Sequence, residues 1–331
     1  MKTNSDTAIL GVGSPIVDLL AQVPESFLDT VPGAKGGMEL VAPEAMDAIV
    51  ARLPAPPVKA PGGSAANTVC ALIRLGMPVG LLGKMGEDDM AAVYCRAFSA
   101  LGGDCSRFKT TAEKPTARCL SLITPDGERT MRTDLGAAKL LAPDEVTLAD
   151  FDGYSHVHIE GYALLDEPLT LKVLEMALEH SCSVSLDLGS FETVRNTRGN
   201  LERWLRDYVD IVFANEDEAR AFCGDDSPEK ALDAFGEVCA AAAVKLGACG
   251  AWLQSAGERV YVPAHKVDTV VDTTGAGDCW AAGFLYGHLK GLPLAATGEL
   301  AAFIGAETVT TLGASPDEDG WKRILAKAAS M

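Results

Sequence analysis

Asp272-Thr273-Thr274-Gly275-Ala276-Gly277-Asp278 leads directly into an apolar, helix-like run over residues 279–289, and this succession is the most informative in the chain. Gly275 and Gly277 allow a tight backbone turn whose N–H groups point outward. The helix that follows brings the positive end of its dipole to the same place. The segment therefore predicts a site for an anion, either a phosphate or the charge that develops on a transferred phosphoryl group.

Asp278 puts a carboxylate into this positive environment, and two interpretations of it are open. A glycine turn that ends in an N-capping aspartate is a common way to start a helix. The alternative is a base that takes a proton from a substrate. Residues 275–278 alone fit both interpretations, whereas the longer string from Asp272, with its two threonines, is much more specific.

Length, charge and cysteine content limit the classes of protein that the chain can represent. Its 331 residues suit one large α/β domain with an appendage, or two domains. A net charge of −18 argues against binding to polymeric nucleic acid or to an anionic membrane surface, while a glycine nest with a magnesium ion still permits a nucleotide. The nine cysteines include no C-x-x-C pair, and neither a secretory signal nor a membrane-length apolar run is recognisable. We therefore expect reduced thiols and a cytoplasmic location.

Short apolar runs alternate with helix-like stretches along the chain. The predicted strands cover residues 8–13, 79–84, 156–159, 183–187, 211–214 and 242–246. The predicted helices cover residues 67–75, 89–101, 169–180, 200–208 and 228–241. This alternation predicts a doubly wound α/β fold, with a mostly parallel central sheet, helices on both faces, and ligands at the carboxyl ends of the strands.

Two stretches, 18–41 and 115–135, break this rhythm. Two β-like runs in the second stretch are separated by Asp126-Gly127, which is a strong hairpin signal. We predict that both stretches form a small β-sheet lid, which excludes water from a site when it closes; edge hairpins without that role are the alternative. The lid is inserted into an α/β nucleotide- and substrate-binding domain made of residues 1–17, 42–114 and 136–331.

A second glycine turn, Pro61-Gly62-Gly63-Ser64-Ala65-Ala66-Asn67, opens a predicted helix, and the prolines of residues 54–61 predict a loop before it. The backbone N–H groups of this turn and the Asn67 side chain converge on one point. An amide suits a sugar hydroxyl because it both donates and accepts hydrogen bonds. An ordinary glycine turn with a capped helix is the alternative.

Asp18 follows the first predicted strand, where its carboxylate could accept hydrogen bonds from two vicinal hydroxyls; a solvated aspartate at a strand end fits as well. Gly11-x-Gly13 in the same region also resembles the start of a dinucleotide-binding fingerprint. The alternative that it indicates is a nicotinamide-dependent dehydrogenase. That fingerprint requires Gly or Ala where this chain has Ile16, and Pro15 would disturb its turn.

Asn215-Glu216-Asp217-Glu218 closes the strand predicted over 211–214. Asn215 and Glu218 are three residues apart and share a face if a helix begins here. Such oxygen ligands suit magnesium, which keeps several waters, whereas an acidic first turn that complements the helix dipole is the competing interpretation. Lys245, at the end of another strand, either approaches a phosphate or is a structural lysine.

In their order along the chain these motifs resemble those of the PfkB, or ribokinase-like, family of carbohydrate and nucleoside kinases. The resemblance implies transfer of the γ-phosphoryl group of ATP to a primary hydroxyl of a sugar or nucleoside, with Mg²⁺ as cofactor. It implies Asp278 as the catalytic base and Gly275, Ala276 and Gly277 as the anion hole.

The resemblance also implies three groups of binding residues. The acceptor is expected at Asp18, Gly62, Gly63 and Asn67. The nucleotide is expected at Asn215, Lys245, Gly247, Thr274 and Gly313. Magnesium is expected, through water, at Glu218 and Asn215, and a candidate potassium ion at Asp272.

The identity of the acceptor is the most open of these inferences. Gly36-Gly37-Met38, Ser64-Ala65-Ala66 and Glu160-Gly161-Tyr162 resemble the adenosine-kinase side of the family, and ribokinases usually have a lysine where Ser64 stands. We therefore rank a nucleoside ahead of a free sugar. The alternatives are a ribokinase- or fructokinase-type sugar kinase and a non-catalytic sensor of nucleotide or sugar; a homodimer through the lid also fits the chain.

Overall fold

The computed structural model describes residues 7–126 and 128–331. The first six residues of the predicted α/β domain and Gly127 of the predicted hairpin turn lie outside the described residues. In chain order, the strands are β1 Ile9–Val12, β2 Ile16–Gln22, β3 Met38–Leu40, β4 Val58–Gly62, β5 Val79–Gly86, β6 Phe108–Thr111, β7 Ala117–Ile123, β8 Arg129–Asp134, β9 His156–Ile159, β10 Ser183–Asp187, β11 Ile211–Asn215, β12 Ala241–Lys245, β13 Ala251–Ser255 and β14 Glu258–Val262.

The helices lie between and after these strands. They are α1 Glu25–Leu28, α2 Pro43–Val50, α3 Ser64–Arg74, α4 Asp89–Leu101, α5 Glu167–Glu179, α6 Phe191–Tyr208, α7 Glu216–Cys223, α8 Pro228–Gly236, α9 Ala276–Leu289, α10 Leu294–Thr308 and α11 Glu318–Ala329. Among the described residues, no helix has the length and apolar character needed to cross a membrane.

The central sheet has nine strands in the order β14-β13-β12-β11-β10-β9-β1-β5-β6. The pairs from β12 to β6 are parallel, and β13 and β14 are added antiparallel at one edge. Successive side chains of a strand point to opposite faces, so Ile9 and Leu10 enter different cores, both fully buried. Helices α3, α9 and α10 cover one face, and α5, α6 and α8 cover the other. The predicted doubly wound, mostly parallel fold is confirmed.

The second sheet has five strands in the order β3-β8-β7-β2-β4. It contains strands from both stretches that break the α/β rhythm, and it begins at Ile16, before the predicted boundary at residue 18. The loop predicted from the prolines of residues 54–61 is wrong in its last part, because Val58–Gly62 is strand β4. An edge strand has no partner on one side, and for that reason it tolerates Pro61. The division into two domains, and closure of this sheet as a lid, stay predictions.

Arg132 on β8 is the largest buried cation of the second sheet, with 1% of its surface exposed. Its guanidinium donates to the carbonyl oxygens of Pro32, Gly37 and Met131. Within the described residues it has no acidic partner. These bonds join the segment before β3 to the neighbouring strand.

Replacement of Arg132 by methionine keeps an unbranched side chain but leaves buried carbonyl groups without a donor. We expect Arg132→Met to lower the free energy of unfolding by about 2–4 kcal/mol, the scale for unpaired buried polar groups. Denaturant titration measures this change. Arg203→Met, on the exposed face of α6, is the matched control and should change stability by less than about 0.5 kcal/mol. Equal effects of the two substitutions would contradict the role of Arg132.

Candidate active site

The candidate site lies at the edge of the central sheet where its parallel strands end. β10 ends at Asp187, β12 ends at Lys245, and β9 is followed by Glu160. The N-terminal ends of α3 and α9 meet at the same edge, because Ser64 and Asn67 of α3 contact Asp278 of α9. The carboxyl edge of a doubly wound sheet is the expected place for a ligand.

The first turn of α9 is built by glycine. Gly275 is the N-cap with φ of +70°, a left-handed conformation that favours glycine, and a β-carbon there would lie 2.6 Å from Ala314 Cβ. The N–H groups of the first helical turn have no acceptor within the helix. Lys245 Nζ lies close to the Cα of Gly277, where an added β-carbon would be 3.4 Å from it. N–H groups, the helix dipole and an ammonium group thus meet at one point, as an anion site requires.

The N-cap of this helix is Gly275 and not Asp278. The carboxylate of Asp278 is directed at α3. Oδ1 accepts a hydrogen bond from Ser64 Oγ at 2.8 Å, and Oδ2 accepts one from Asn67 Nδ2 at 2.9 Å. Burial raises the pKa of Asp278 to about 6; the charge of Asp187 adds to the shift, while the two hydrogen bonds and Lys245 oppose it. A carboxylate with such a pKa can accept a proton near neutral pH.

Asp18 and the second glycine turn lie on the other side of Asp278. The Asp18 carboxylate rests on the Cα of Gly62, where any β-carbon would overlap it. Gly63 has φ of +103°, and a β-carbon there would overlap the carbonyl oxygen of Ser14. Burial raises the pKa of Asp18 to about 6; Arg129 opposes this shift, and the charges of Asp272 and Asp278 add to it. The structure therefore brings Asp18, Gly62, Gly63 and Asn67 together beside Asp278.

Asn215 and Glu218 form a capping box at the start of α7. Asn215 Oδ1 accepts from Glu218 N at 2.9 Å, Glu218 Oε2 accepts from Asn215 N at 2.8 Å, and Asn215 Nδ2 donates to Glu218 Oε1 at 2.8 Å. The acidic helix start that competed with the magnesium interpretation is thus present. Burial, followed by the charge of Asp187, raises the pKa of Glu218 to about 7.

The donor set around Glu218 limits how a metal ion fits. No group of three or more His, Cys, Asp or Glu side chains in the described part of the chain is arranged to hold an ion. Each oxygen of Glu218 already accepts a hydrogen bond from Asn215. Magnesium retains most of its waters in protein sites, so this carboxylate fits a hydrated ion bound through water.

Asp187 belongs to the same site, although the sequence analysis assigned it only to a strand. Its Oδ2 accepts from Lys245 Nζ at 2.7 Å, and both side chains are largely buried. Burial opposes the protonated form of Lys245, but the charges of Asp187 and Glu218 outweigh it and raise the lysine pKa. Its position as the last residue of a buried parallel strand was the one signal that could have identified it.

Arg129 is the second residue that the sequence analysis missed, and it comes from β8 of the second sheet. Arg129 Nη1 donates to Asp272 Oδ2 at 2.8 Å and also contacts Thr274 Oγ1. The same carboxylate accepts from Thr274 N at 2.9 Å and from Gly313 N at 2.8 Å. Asp272 therefore fixes the loop before α9 and links it to the second sheet.

Potassium binding stays a prediction that the contacts of Asp272 disfavour. Its carboxylate is 2% exposed and already accepts bonds from three N–H donors, one of which carries the positive charge that an ion would supply. Two further residues were predicted to bind the nucleotide. Gly247 follows strand β12 and Gly313 follows helix α10, and no other described group lies within 4 Å of a β-carbon added at either.

The fold and the site together define a phosphotransferase of the ribokinase-like type. A sequence profile described as pfkB family carbohydrate kinase matches residues 43–319. The chain belongs to this family, as its motifs predicted. It is therefore a kinase with an alcohol group as acceptor, and membership implies the use of ATP.

Solved structures agree with this assignment. A probable sugar kinase from Rhizobium etli is 31% identical, with 99% of each chain covered and a TM-score of 0.86. An adenosine kinase from Sinorhizobium meliloti is 31% identical, with 98% of this chain and 99% of that chain covered and a TM-score of 0.84. A putative ribokinase II from E. coli, solved with ATP and Mg²⁺, shares the fold at 21% identity, with 98% of this chain and 100% of that chain covered and a TM-score of 0.78. Membership therefore establishes the reaction class but not the acceptor.

The pairing of Arg129 with Asp272 predicts how the protein responds to potassium. We expect the midpoint of thermal unfolding to be the same in KCl and in choline chloride of equal ionic strength, because the buried Asp272 carboxylate already has a guanidinium as its cation and accepts from three N–H donors. In Arg129→Met the buried carboxylate loses its cation, so KCl should raise the midpoint above that in choline chloride. Differential scanning fluorimetry measures both, with Arg203→Met as the control. Stabilisation of the unmodified protein by KCl alone would contradict the prediction.

Proposed function

We propose that the chain transfers the γ-phosphoryl group of ATP to a primary hydroxyl of a nucleoside such as adenosine. The observation that carries this proposal is the position of Asp278. Its carboxylate lies in the first turn of α9, next to the glycine turn of residues 275–277. Ser64 and Asn67, from the second glycine turn at the proposed acceptor site, hold it by hydrogen bonds. A base placed between an anion site and an alcohol site is the arrangement that phosphoryl transfer requires.

Asp278 takes the proton of the acceptor hydroxyl as the hydroxyl oxygen forms its bond to the γ-phosphorus and the bond from that phosphorus to the leaving oxygen of ADP breaks. The pKa of about 6 leaves this carboxylate mostly ionised at neutral pH and still basic enough to accept the proton. The N–H groups of residues 275–277 and the adjacent Lys245 stabilise charge on the transferred group. Glu218 and Asn215 would hold a hydrated magnesium ion through water, and that ion would supply neutralisation of phosphate charge when the nucleotide is bound.

Arg129 supports the phosphate side of the proposal. Its Nε is buried and has no hydrogen-bond partner within residues 7–126 and 128–331. Arg129 brings a positive charge to the loop before α9, where Nη1 holds Asp272. Gly247 and Gly313, with open space at their Cα atoms, leave room for the nucleotide beside the loop.

The acceptor side supports a nucleoside. Asp18 offers two carboxylate oxygens to the vicinal hydroxyls of a ribose, and Asn67 offers an amide. Met38 and Leu40 of β3 are 48% and 57% exposed, so the second sheet has apolar side chains available for a base. Cys119 of β7 lies opposite Asp18 in the β2–β7 register. The similarity to an adenosine kinase at 31% identity over 98% of the chain points to the same acceptor class.

A panel of acceptors tests the proposed substrate. With ATP and Mg²⁺, adenosine and other nucleosides should be phosphorylated with a higher kcat/KM than ribose or fructose. Mass analysis should locate the new phosphate on the primary hydroxyl. Turnover of free sugars alone would replace the proposal with a ribokinase- or fructokinase-type activity, which the similarity to a probable sugar kinase keeps as the second candidate.

Removal of the proposed base tests the mechanism. Asp278→Asn keeps the shape of the side chain but cannot accept the proton, so kcat should fall by about 10²–10⁴-fold while nucleotide binding, measured by calorimetry, persists. Asp207→Asn, on an exposed turn of α6, is the control and should leave kcat unchanged. Unchanged turnover in Asp278→Asn would reject Asp278 as the base, and an absence of turnover in the unmodified protein would favour a sensor.

A further inference from the structure

Ser64 has an unusual role for a serine at the start of a helix. Serine in this place commonly caps the helix by accepting from a backbone N–H group. Here Gly63 is the N-cap of α3, and the helix has no side-chain cap. The Ser64 hydroxyl instead donates to Asp278 Oδ1 at 2.8 Å, across 214 residues of chain.

Three side chains in the first two turns of α3 donate hydrogen bonds to Asp278, and Ser64 is the first of them. Asn67 Nδ2 donates to the other carboxylate oxygen at 2.9 Å. Thr68 Oγ1 donates to the backbone oxygen of Asp278 at 3.2 Å. The two sides of the carboxylate and its backbone are thus fixed by one helix.

The geometry points to Ser64 as a positioning residue for the base, a role that rests on the proposed function of Asp278. An ionised carboxylate has about four acceptor positions, and α3 occupies two of them. The Ser64 hydroxyl thereby fixes the rotation of the carboxylate and leaves the remaining positions for the acceptor hydroxyl. A hydrogen bond to the ionised form also favours that form over the protonated acid.

The pKa of Asp278 also depends on other charged groups around it. Asp187 and Lys245 act by charge on Asp278, and the charge of Asp278 in turn acts on Asp18, Glu160, Tyr162 and Cys279. Most of them are acids, and Lys245 is the one cation among them within the described residues. The neutral donors Ser64 and Asn67 are therefore needed to keep the carboxylate ionised.

The pH dependence of kcat/KM tests this role, because it reports the ionisation of the free enzyme. Activity of a general base is lost as pH falls through its pKa. Ser64→Ala removes a donor to the charged form, so the acidic limb should move upward by about one pH unit, the shift expected for one hydrogen bond to a charged group. At pH 6 the loss of kcat/KM should be about fivefold larger than at pH 8.5, and below pH 5 it should approach tenfold. Ser64→Thr retains the hydroxyl and should restore the original limb.

The controls separate this inference from the proposed function. Ser227→Ala removes a serine that caps α8 and should leave the limb in place. A loss of activity in Ser64→Ala by the same factor at every pH would overturn the positioning role, as would failure of Ser64→Thr to restore the limb. If Ser64→Ala does not fold by circular dichroism, Ser64→Cys, with a weak donor of similar size, takes its place, and the acidic limb should move in the same direction by a smaller amount. Retained turnover in Asp278→Asn would instead reject the proposed function.

Discussion

The contact between the N-terminal ends of α3 and α9 is the interaction on which the rest of the site depends. Ser64 and Asn67 come from the first third of the chain and Asp278 from its last sixth, and two hydrogen bonds of 2.8 and 2.9 Å join them. Each helix starts in a glycine turn, where a β-carbon at Gly63 would overlap Ser14 and one at Gly275 would overlap Ala314. An alcohol bound at one turn and a phosphate bound at the other then meet at the same carboxylate.

The site concentrates like charges, and this determines what it can bind. The charge of Asp187 adds to the burial that raises the pKa of both Glu218 and Asp278, and Lys245 is a cation among them. Such a group favours ligands that bring cations with them, which suits a nucleotide accompanied by magnesium better than a bare anion. The glycine turn and Lys245 attract the phosphate locally, while the net charge of −18 repels polyanions from the surface.

What the sequence could predict depended on the range of the interactions involved. The central sheet and the two glycine turns were predictable because strand hydrophobicity and glycine turns are local properties. Asp187 and Arg129 were missed because their partners, Lys245 and Asp272, lie 58 and 143 residues away. Strand β4 was missed because Pro61 indicates a loop wherever the free edge of a sheet is not known. Asn215 and Glu218 form a capping box that satisfies the start of α7, and Glu218 still lies near the charges of Asp187 and Lys245. The motif therefore fits both an acidic helix start and a magnesium site.

Asp272, in the loop before α9, and Asp278, in the first turn of α9, differ in what they can do, and the difference lies in their partners. Asp272 is bound by a permanently charged guanidinium and two backbone N–H groups, and these bonds tie the loop to the second sheet. Asp278 is bound by a neutral hydroxyl and a neutral amide and faces other acids, so its affinity for a proton is higher. These different partners separate the roles of the two carboxylates, with Asp272 as a scaffold of the loop and Asp278 as the proposed base. Movement of the second sheet would act on Asp272 through Arg129, and would reach Asp278 only through the turn between them.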